Sequence, residues 1–277
     1  MSGVKGENER MRGIILAAGK GSRLNGTAGD KPKCLVEIGG HTLIERQIQT
    51  LERAGVDDIV IVVGCQPDRV RSCCGHRVTY VENARFAETN SMFSLWMARA
   101  LLYEGFVVLN CDVLFHPVLL SDLLSSRYED ALLLAYREPH QPAFGDEEMK
   151  VKVRCGRVID ISKTMDSAEA DGENLGIVKF GPNGAAALVG IMDRLVKAGE
   201  LRAWAPRAFY EFARTRPLYA IGTRGFPWIE IDFPEDYRRA VRDVLPDIEA
   251  DADVDREHHH PSPAPDVSRL SPVADAR

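Results

Sequence analysis

No stretch of this sequence is apolar for long enough to cross a membrane as a helix. Its apolar runs, such as Asp58–Gly64 and Phe106–Leu109, fall far short of the roughly 20 residues a bilayer requires. The first residues, MSGVKGENERMRG, lack the apolar core of a secretory signal. A surplus of positive charge is missing too: 35 Lys and Arg stand against 41 Asp and Glu, a net charge of −6. That balance disfavours general binding to nucleic acid or to an anionic membrane, so any anion site must be local. Paired CxxC spacing is absent among the six cysteines, Cys34, Cys65, Cys73, Cys74, Cys111 and Cys155. Reduced thiols in a cytoplasmic protein are the expectation. Cys73-Cys74 reads as helix-end packing.

What is there is an alternation of short apolar runs with helical periodicity, the pattern of an α/β protein with a largely parallel sheet. GIILAA (13–18), DIVIVVG (58–64), Arg77–Glu82 and GFVVLN (105–110) read as strands. TLIERQIQTLERAG (42–55) places Leu43, Ile44, Ile48 and Leu51 on one side and stops at Gly55, which predicts a helix. SMFSLWMARALL (91–102) predicts another, capped by Asn90 or Ser91. ALLLAYR (131–137), KVKVR (150–154) and RVIDIS (157–162) follow closely, and Cys155-Gly156 between the last two is a hairpin signal. An antiparallel element is therefore expected to join the sheet. Residues 182–199 and 234–244 open on proline and read as helices, with the strand WIEID (228–232) between them. The domain is expected to span 12–246, between a loose start at 1–11 and a tail at 247–277 rich in charge, Pro, Ser and Ala. There is no internal repeat. His258-His259-His260 lies in that tail without further ligand residues, so no catalytic role is assigned to it.

The first strand runs into LAAGKGSRL, Leu16–Leu24. A glycine turn of this kind can serve only to let the backbone bend. It lacks the third glycine of the dinucleotide fingerprint, for which Leu24 stands, and it lacks the G-K-[ST] of a Walker A loop. What remains is backbone that phosphate can approach, at the carboxyl end of a parallel strand. Arg23 and Lys33 can add charge there, one as a planar fork and one as a point charge.

LAAGKGSRL and, after seven intervening residues, Pro32-Lys33 and CLVEIGG resemble the signature of the sugar-1-phosphate and related nucleotidyltransferases. The resemblance implies a doubly wound, mostly parallel mixed sheet of Rossmann-like type, with an antiparallel element on the acceptor side. It implies nucleotide contacts from Leu16, Ala17, Ala18, Gly19, Gly21, Arg23 and Lys33. Asn25-Gly26-Thr27 departs from the Pro-Leu-Thr of many members, a change in loop stiffness. VENARFAETNSMFSLWMA (81–98) is similar to the phosphocholine cytidylyltransferase branch through Asn83, Phe86, Thr89, Asn90, Ser94 and Leu95. In isolation such polar residues serve as a cap and a turn. Beside the glycine turn, Asn83, Thr89, Asn90 and Ser94 become candidates for holding base or ribose.

Triphosphate chemistry calls for divalent cations held by oxygen ligands. Asp112 closes the apolar strand VVLNCD, while Glu230 and Asp232 lie two apart in WIEID, hence on one face. Alone, Asp112 could cap the next segment and Asp232 could serve a helix N-terminus. The resemblance implies that all three hold Mg²⁺. Strand lysines are usually solvated, and Lys152 and Lys179 are read so. The resemblance makes Lys150 and Lys163 candidates for the acceptor phosphate. Of Trp204, Phe209, Tyr210 and Trp228, the two tryptophans are taken as acceptor-side residues able to face a quaternary ammonium, with core packing the alternative.

The expected activity is Mg²⁺-dependent transfer of CMP from CTP to a small phosphorylated alcohol or phosphonate, releasing pyrophosphate. Arg23, Lys33 and Asp112 would carry the chemistry. The alternatives are a sugar- or cyclitol-phosphate nucleotidyltransferase using another NTP, and a non-catalytic nucleotide-binding regulator. No nucleic acid or membrane partner is expected.

Overall fold

Gly13 to Ala17 are all buried, and the side chains alternate between two apolar layers, Ile14 and Leu16 in one, Ile15 and Ala17 in the other. A strand covered on both faces reads as a continuous apolar run for this reason. A computed structural model describes residues 11–24, 31–138, 140 and 143–250. Most of the expected loose start, the Asn25-Gly26-Thr27 departure, the histidine triplet and the chain from 251 onward lie outside the described residues.

The elements run β1 (Arg12–Ala17), β2 (Glu37–Ile38), β3 (His41–Thr42), α1 (Leu43–Arg53), β4 (Ile59–Val63), α2 (Pro67–Cys74) and β5 (Thr79–Glu82). They continue as α3 (Ser91–Met97), β6 (Phe106–Asn110), β7 (Val113–Phe115), α4 (Pro117–Ser125), β8 (Ala131–Tyr136), β9 (Lys150–Arg154), β10 (Arg157–Ser162) and β11 (Gly172–Phe180). The last are α5 (Pro182–Lys197), α6 (Ala205–Thr215), β12 (Tyr219–Gly222), β13 (Trp228–Glu230) and α7 (Pro234–Arg239). α1 starts where the Thr42 hydroxyl accepts from the Glu45 N–H and the Glu45 carboxylate accepts from the Thr42 N–H, a reciprocal cap.

The main sheet has nine strands in the order β5-β4-β1-β6-β11-β8-β12-β10-β9. β5, β4, β1 and β6 are parallel, whereas β11 runs against both β6 and β8. The antiparallel part is thus broader than the β9–β10 hairpin alone. That hairpin turns at Cys155 and Gly156, both at positive φ. One face packs under α3, α5 and α6 through Met92, Leu188, Phe209 and Phe212; the other packs under α1, α2 and α4 through Ile48, Val70 and Leu120. Phe209 and the partly buried Tyr210 therefore belong to packing.

A third, smaller cluster joins Leu24, Val36 and Leu43 to Leu114, Ile229, Ile231, Leu245 and Ile248. It fastens β13 and the closing helix to the segment that follows the glycine turn. Residues 245–250 are helical and Ile248 is buried, so ordered structure runs beyond the expected boundary at 246. The charged pattern of 247–250 is that of an exposed helical face with one apolar anchor. Among the described residues, no helix is long and apolar enough to cross a membrane.

Candidate active site

β1 and β6 are adjacent and parallel with Leu16 opposite Asn110, so the glycine turn after β1 and Asp112 after β6 emerge at the same sheet edge. β7 then pairs with β13, Val113 opposite Glu230, which brings the late carboxylates back to the same place. One oxygen from each of Asp112, Glu230 and Asp232 lies within 4.8 Å of the others. Ile229 and Ile231 point away into the third cluster, as strand alternation requires.

Gly21 has φ +64°, and a Cβ there would sit 2.6 Å from the Lys33 Cβ. The glycine therefore lets the basic residue nest against the turn. A Cβ on Gly19 would meet nothing within 4 Å, which leaves its backbone open to a ligand. The Lys33 ammonium donates to Asp112 Oδ2 at 2.8 Å and to Asp232 Oδ1. Burial would push this lysine down; the charges and hydrogen bonds of Asp112 and Asp232 outweigh that and hold it above the usual lysine range. Glu230 moves the other way, pushed up to about 8 by burial and then by the neighbouring charges of Asp112 and Asp232.

Crowded carboxylates that share one ammonium form a hard-oxygen set suited to a divalent cation. Asp112 Oδ1 adds a specific sign of fit: it is buried and has no hydrogen-bond partner among the described residues. The donor set and this unpartnered oxygen fit a divalent cation.

The cleft above these groups is lined by Leu16, Ala18, Gly19, Gly21, Arg23 and Lys33 on the glycine side, and by Phe86, Thr89, Asn90 and Ser94 opposite. Asn83 and Ala17 do not line it. Ala17 faces the other layer, a consequence of strand alternation. Asn83 is buried and donates to Thr89 Oγ1 at 3.0 Å and Ser94 Oγ at 3.1 Å, so it braces the loop behind the lining residues.

On the far side are Glu147, Met149, Lys163 and Trp204. Lys163 Nζ lies 3.2 Å from Glu147 Oε2 and 5.0 Å from the centre of the Trp204 ring. Glu147 also reaches Arg23 Nη1 at 3.1 Å, bridging the cleft. The other two acceptor expectations are corrected. Lys150 is buried and donates to the Lys163 carbonyl at 2.6 Å, so its ammonium anchors the Lys163 backbone instead of facing the cleft. Trp228, opposite Phe115 at the start of β13, packs into the core two residues short of the site.

Sequence reasoning missed Glu147, Asn110, Asn174 and Gly176, all at the cleft. Gly176 has φ +75°, and a Cβ there would sit 2.4 Å from Asn110 Nδ2, so the glycine admits the Asn110 side chain. The available signal was Asn-Leu-Gly inside an otherwise strand-like run, a mark of a bulge. β11 does shift register between Asn174 and Val178.

Fold and site together define a nucleotide-handling α/β domain built around a glycine turn and an acidic trio. The chain belongs to the MobA-like NTP transferase domain family, whose model matches residues 13–160. It is 27% identical over 241 residues to the choline-phosphate cytidylyltransferase of Streptococcus pneumoniae, covering 83% of this chain and 96% of that one. It is also 27% identical over 246 residues to the CMP-5'-(3-aminopropyl)phosphonate synthase of Streptomyces rubellomurinus, covering 83% of this chain and 38% of the longer relative. The solved CTP:phosphocholine cytidylyltransferase of Streptococcus pneumoniae superposes with a TM-score of 0.67 at 26% identity, covering 83% of this chain and 97% of that chain.

Proposed function

We propose that this protein transfers CMP from CTP to a small phosphorylated alcohol or phosphonate, with release of pyrophosphate and with Mg²⁺ as the metal. The observation that carries the reading is the meeting of Lys33, Asp112 and Asp232 beneath an open glycine turn, from segments 79 and 199 residues apart from Lys33. The names of the two relatives, one a choline-phosphate and one a phosphonate enzyme, support the acceptor class. All six thiols are free, which fits a reducing cytoplasm.

In this reading, an acceptor oxygen attacks the α-phosphorus of CTP, and the bond from that phosphorus to the β-bridging oxygen breaks as pyrophosphate leaves. The acceptor is already anionic at neutral pH, so the protein's task is positioning and charge neutralisation. Bound to Asp112, Glu230 and Asp232, Mg²⁺ would supply positive charge to phosphate oxygens. Arg23 and Lys33 hold the departing phosphates. The backbone at Gly19 and Gly21 admits the triphosphate, and the loop braced by Asn83 offers Thr89, Asn90 and Ser94 to base or ribose. Lys163, against Glu147 and the Trp204 ring, faces the acceptor's anion.

The test is a grid of the four NTPs against phosphorylated alcohols, aminoalkylphosphonates and sugar phosphates with Mg²⁺, read by pyrophosphate release and product mass. CTP is expected to be the preferred nucleotide, with a CDP-alcohol or CMP-phosphonate as product. Turnover confined to another NTP with a sugar or cyclitol phosphate would replace this reading. Tight nucleotide binding without turnover across the grid would favour a regulator.

A further inference from the structure

The helix α1 buries its apolar stripe through Leu43, Ile44, Ile48 and Leu51, yet Gln47 shares that face and is only 1% exposed. A buried amide is costly unless its hydrogen bonds are made, and here the NH2 end makes them while Gln47 Oε1 is buried without a partner among the described residues. Packing of α1 gives no reason for one at this position. Gln47 Nε2 donates to the Asn110 carbonyl at 2.8 Å and to the Val113 carbonyl at 3.0 Å. Those two carbonyls bracket Cys111 and Asp112, so one amide group closes the bend on which the Asp112 carboxylate rides.

The bend needs such a hold. Asp112 lies beside Asp232, whose charge repels its own, and beside Glu230, and its Oδ1 has no partner among the described residues. Among the described residues, its side chain is tied only through Oδ2 to Lys33. The backbone must therefore fix where the carboxylate points. From the opposite side, the Asp112 carbonyl accepts from the Ile231 N–H at 3.0 Å, between Glu230 and Asp232. Gln47 holds the bend against α1, and Ile231 joins it to the second acidic segment.

We infer that Gln47 is the positioning residue of the acidic trio: its amide sets the Asp112 bend, and through it the trio's grip on a divalent cation. The inference rests on the reading of the trio as a metal site. Outer partners that orient ligands commonly change metal affinity about 10- to 100-fold when removed.

The test compares wild type with Gln47→Leu and Gln47→Met, which keep the bulk and remove both donors. Mn²⁺ affinity is read from the loss of the free-ion electron paramagnetic resonance signal. CTP affinity in EDTA and melting temperature are read in parallel. Both variants are expected to weaken Mn²⁺ binding about 10-fold or more and to lower kcat, while metal-free CTP affinity stays within about twofold, since Arg23 and the glycine turn are untouched. Wild-type Mn²⁺ affinity in either folded variant overturns the inference. So does a parallel loss of Mn²⁺ binding, metal-free CTP binding and melting temperature in both, which would make Gln47 a general packing residue. CMP transfer by wild type with unchanged Mn²⁺ affinity in the variants rejects the clamp but keeps the function. Selective loss of Mn²⁺ affinity without CMP transfer by wild type does the reverse.

Discussion

Replacing Asp112 by asparagine is expected to slow nucleotidyl transfer about a thousandfold, on the order of 4 kcal/mol of transition-state stabilisation. The substitution keeps the shape and removes the charge. Of the two oxygens of Asp112, one bonds the Lys33 ammonium and the other is buried and unpartnered among the described residues. An amide in its place offers one weak oxygen and a nitrogen that repels a cation. The loss should fall on kcat at saturating CTP, acceptor and Mg²⁺. CTP binding in EDTA should change little, because the glycine turn and Arg23 are intact. The fold should persist, since Asp232 still receives the Lys33 hydrogen bond and one repelling charge has gone. A kcat within tenfold of wild type would remove Asp112 from the chemistry.

Lys33→Met should produce the second large effect, and it should depend on metal. Lys33 is 9% exposed and holds two carboxylates that lie beside a third. Removing the cation leaves like charges facing one another in a poorly solvated place. Breaking buried pairs in this way costs about 3–5 kcal/mol, which for a domain of this size lowers the melting temperature on the order of 10 °C. That loss is expected in EDTA. Millimolar Mg²⁺ should recover much of it, because a bound divalent cation stabilises by mass action and no longer competes with an ammonium for Asp112 and Asp232. Free metal should therefore bind the variant more tightly than wild type, even as transfer falls through loss of the phosphate contact. Differential scanning fluorimetry with and without Mg²⁺ measures both effects. Equal melting temperatures for wild type and variant in EDTA would contradict this role for Lys33.

The parts of the fold that could be read in the sequence were those where local pattern and tertiary burial agree. β1 and β4 are continuous apolar runs because helices cover both their faces, and α1 shows its buried stripe directly. The β9–β10 hairpin is legible because Cys155-Gly156 supplies the turn chemistry. β11 lies at the centre of the sheet yet reads as irregular, since Asn174 and Gly176 interrupt it to make room for Asn110. Lys150 and Lys163 look alike as strand and turn lysines. Their difference is made by a carbonyl thirteen residues away that takes the Lys150 ammonium. Trp204 and Trp228 are likewise separated only by how β13 docks on β7. Glu147 sits in a segment with no pattern of its own, and its meeting with Arg23, 124 residues away, is purely tertiary. The acidic trio was legible because two of its members share a strand face and the third ends an apolar strand.

The most direct test of convergence on one metal–nucleotide site is a crystal structure with Mn²⁺ and a non-hydrolysable CTP analogue, using manganese anomalous scattering. A manganese peak ligated by Asp112, Glu230 and Asp232 and by an oxygen of the α-phosphate is expected, with the triphosphate along Gly19–Gly21 and Lys33 turned from the carboxylates to the phosphates. Manganese bound elsewhere, or a nucleotide seated away from the glycine turn, would contradict it.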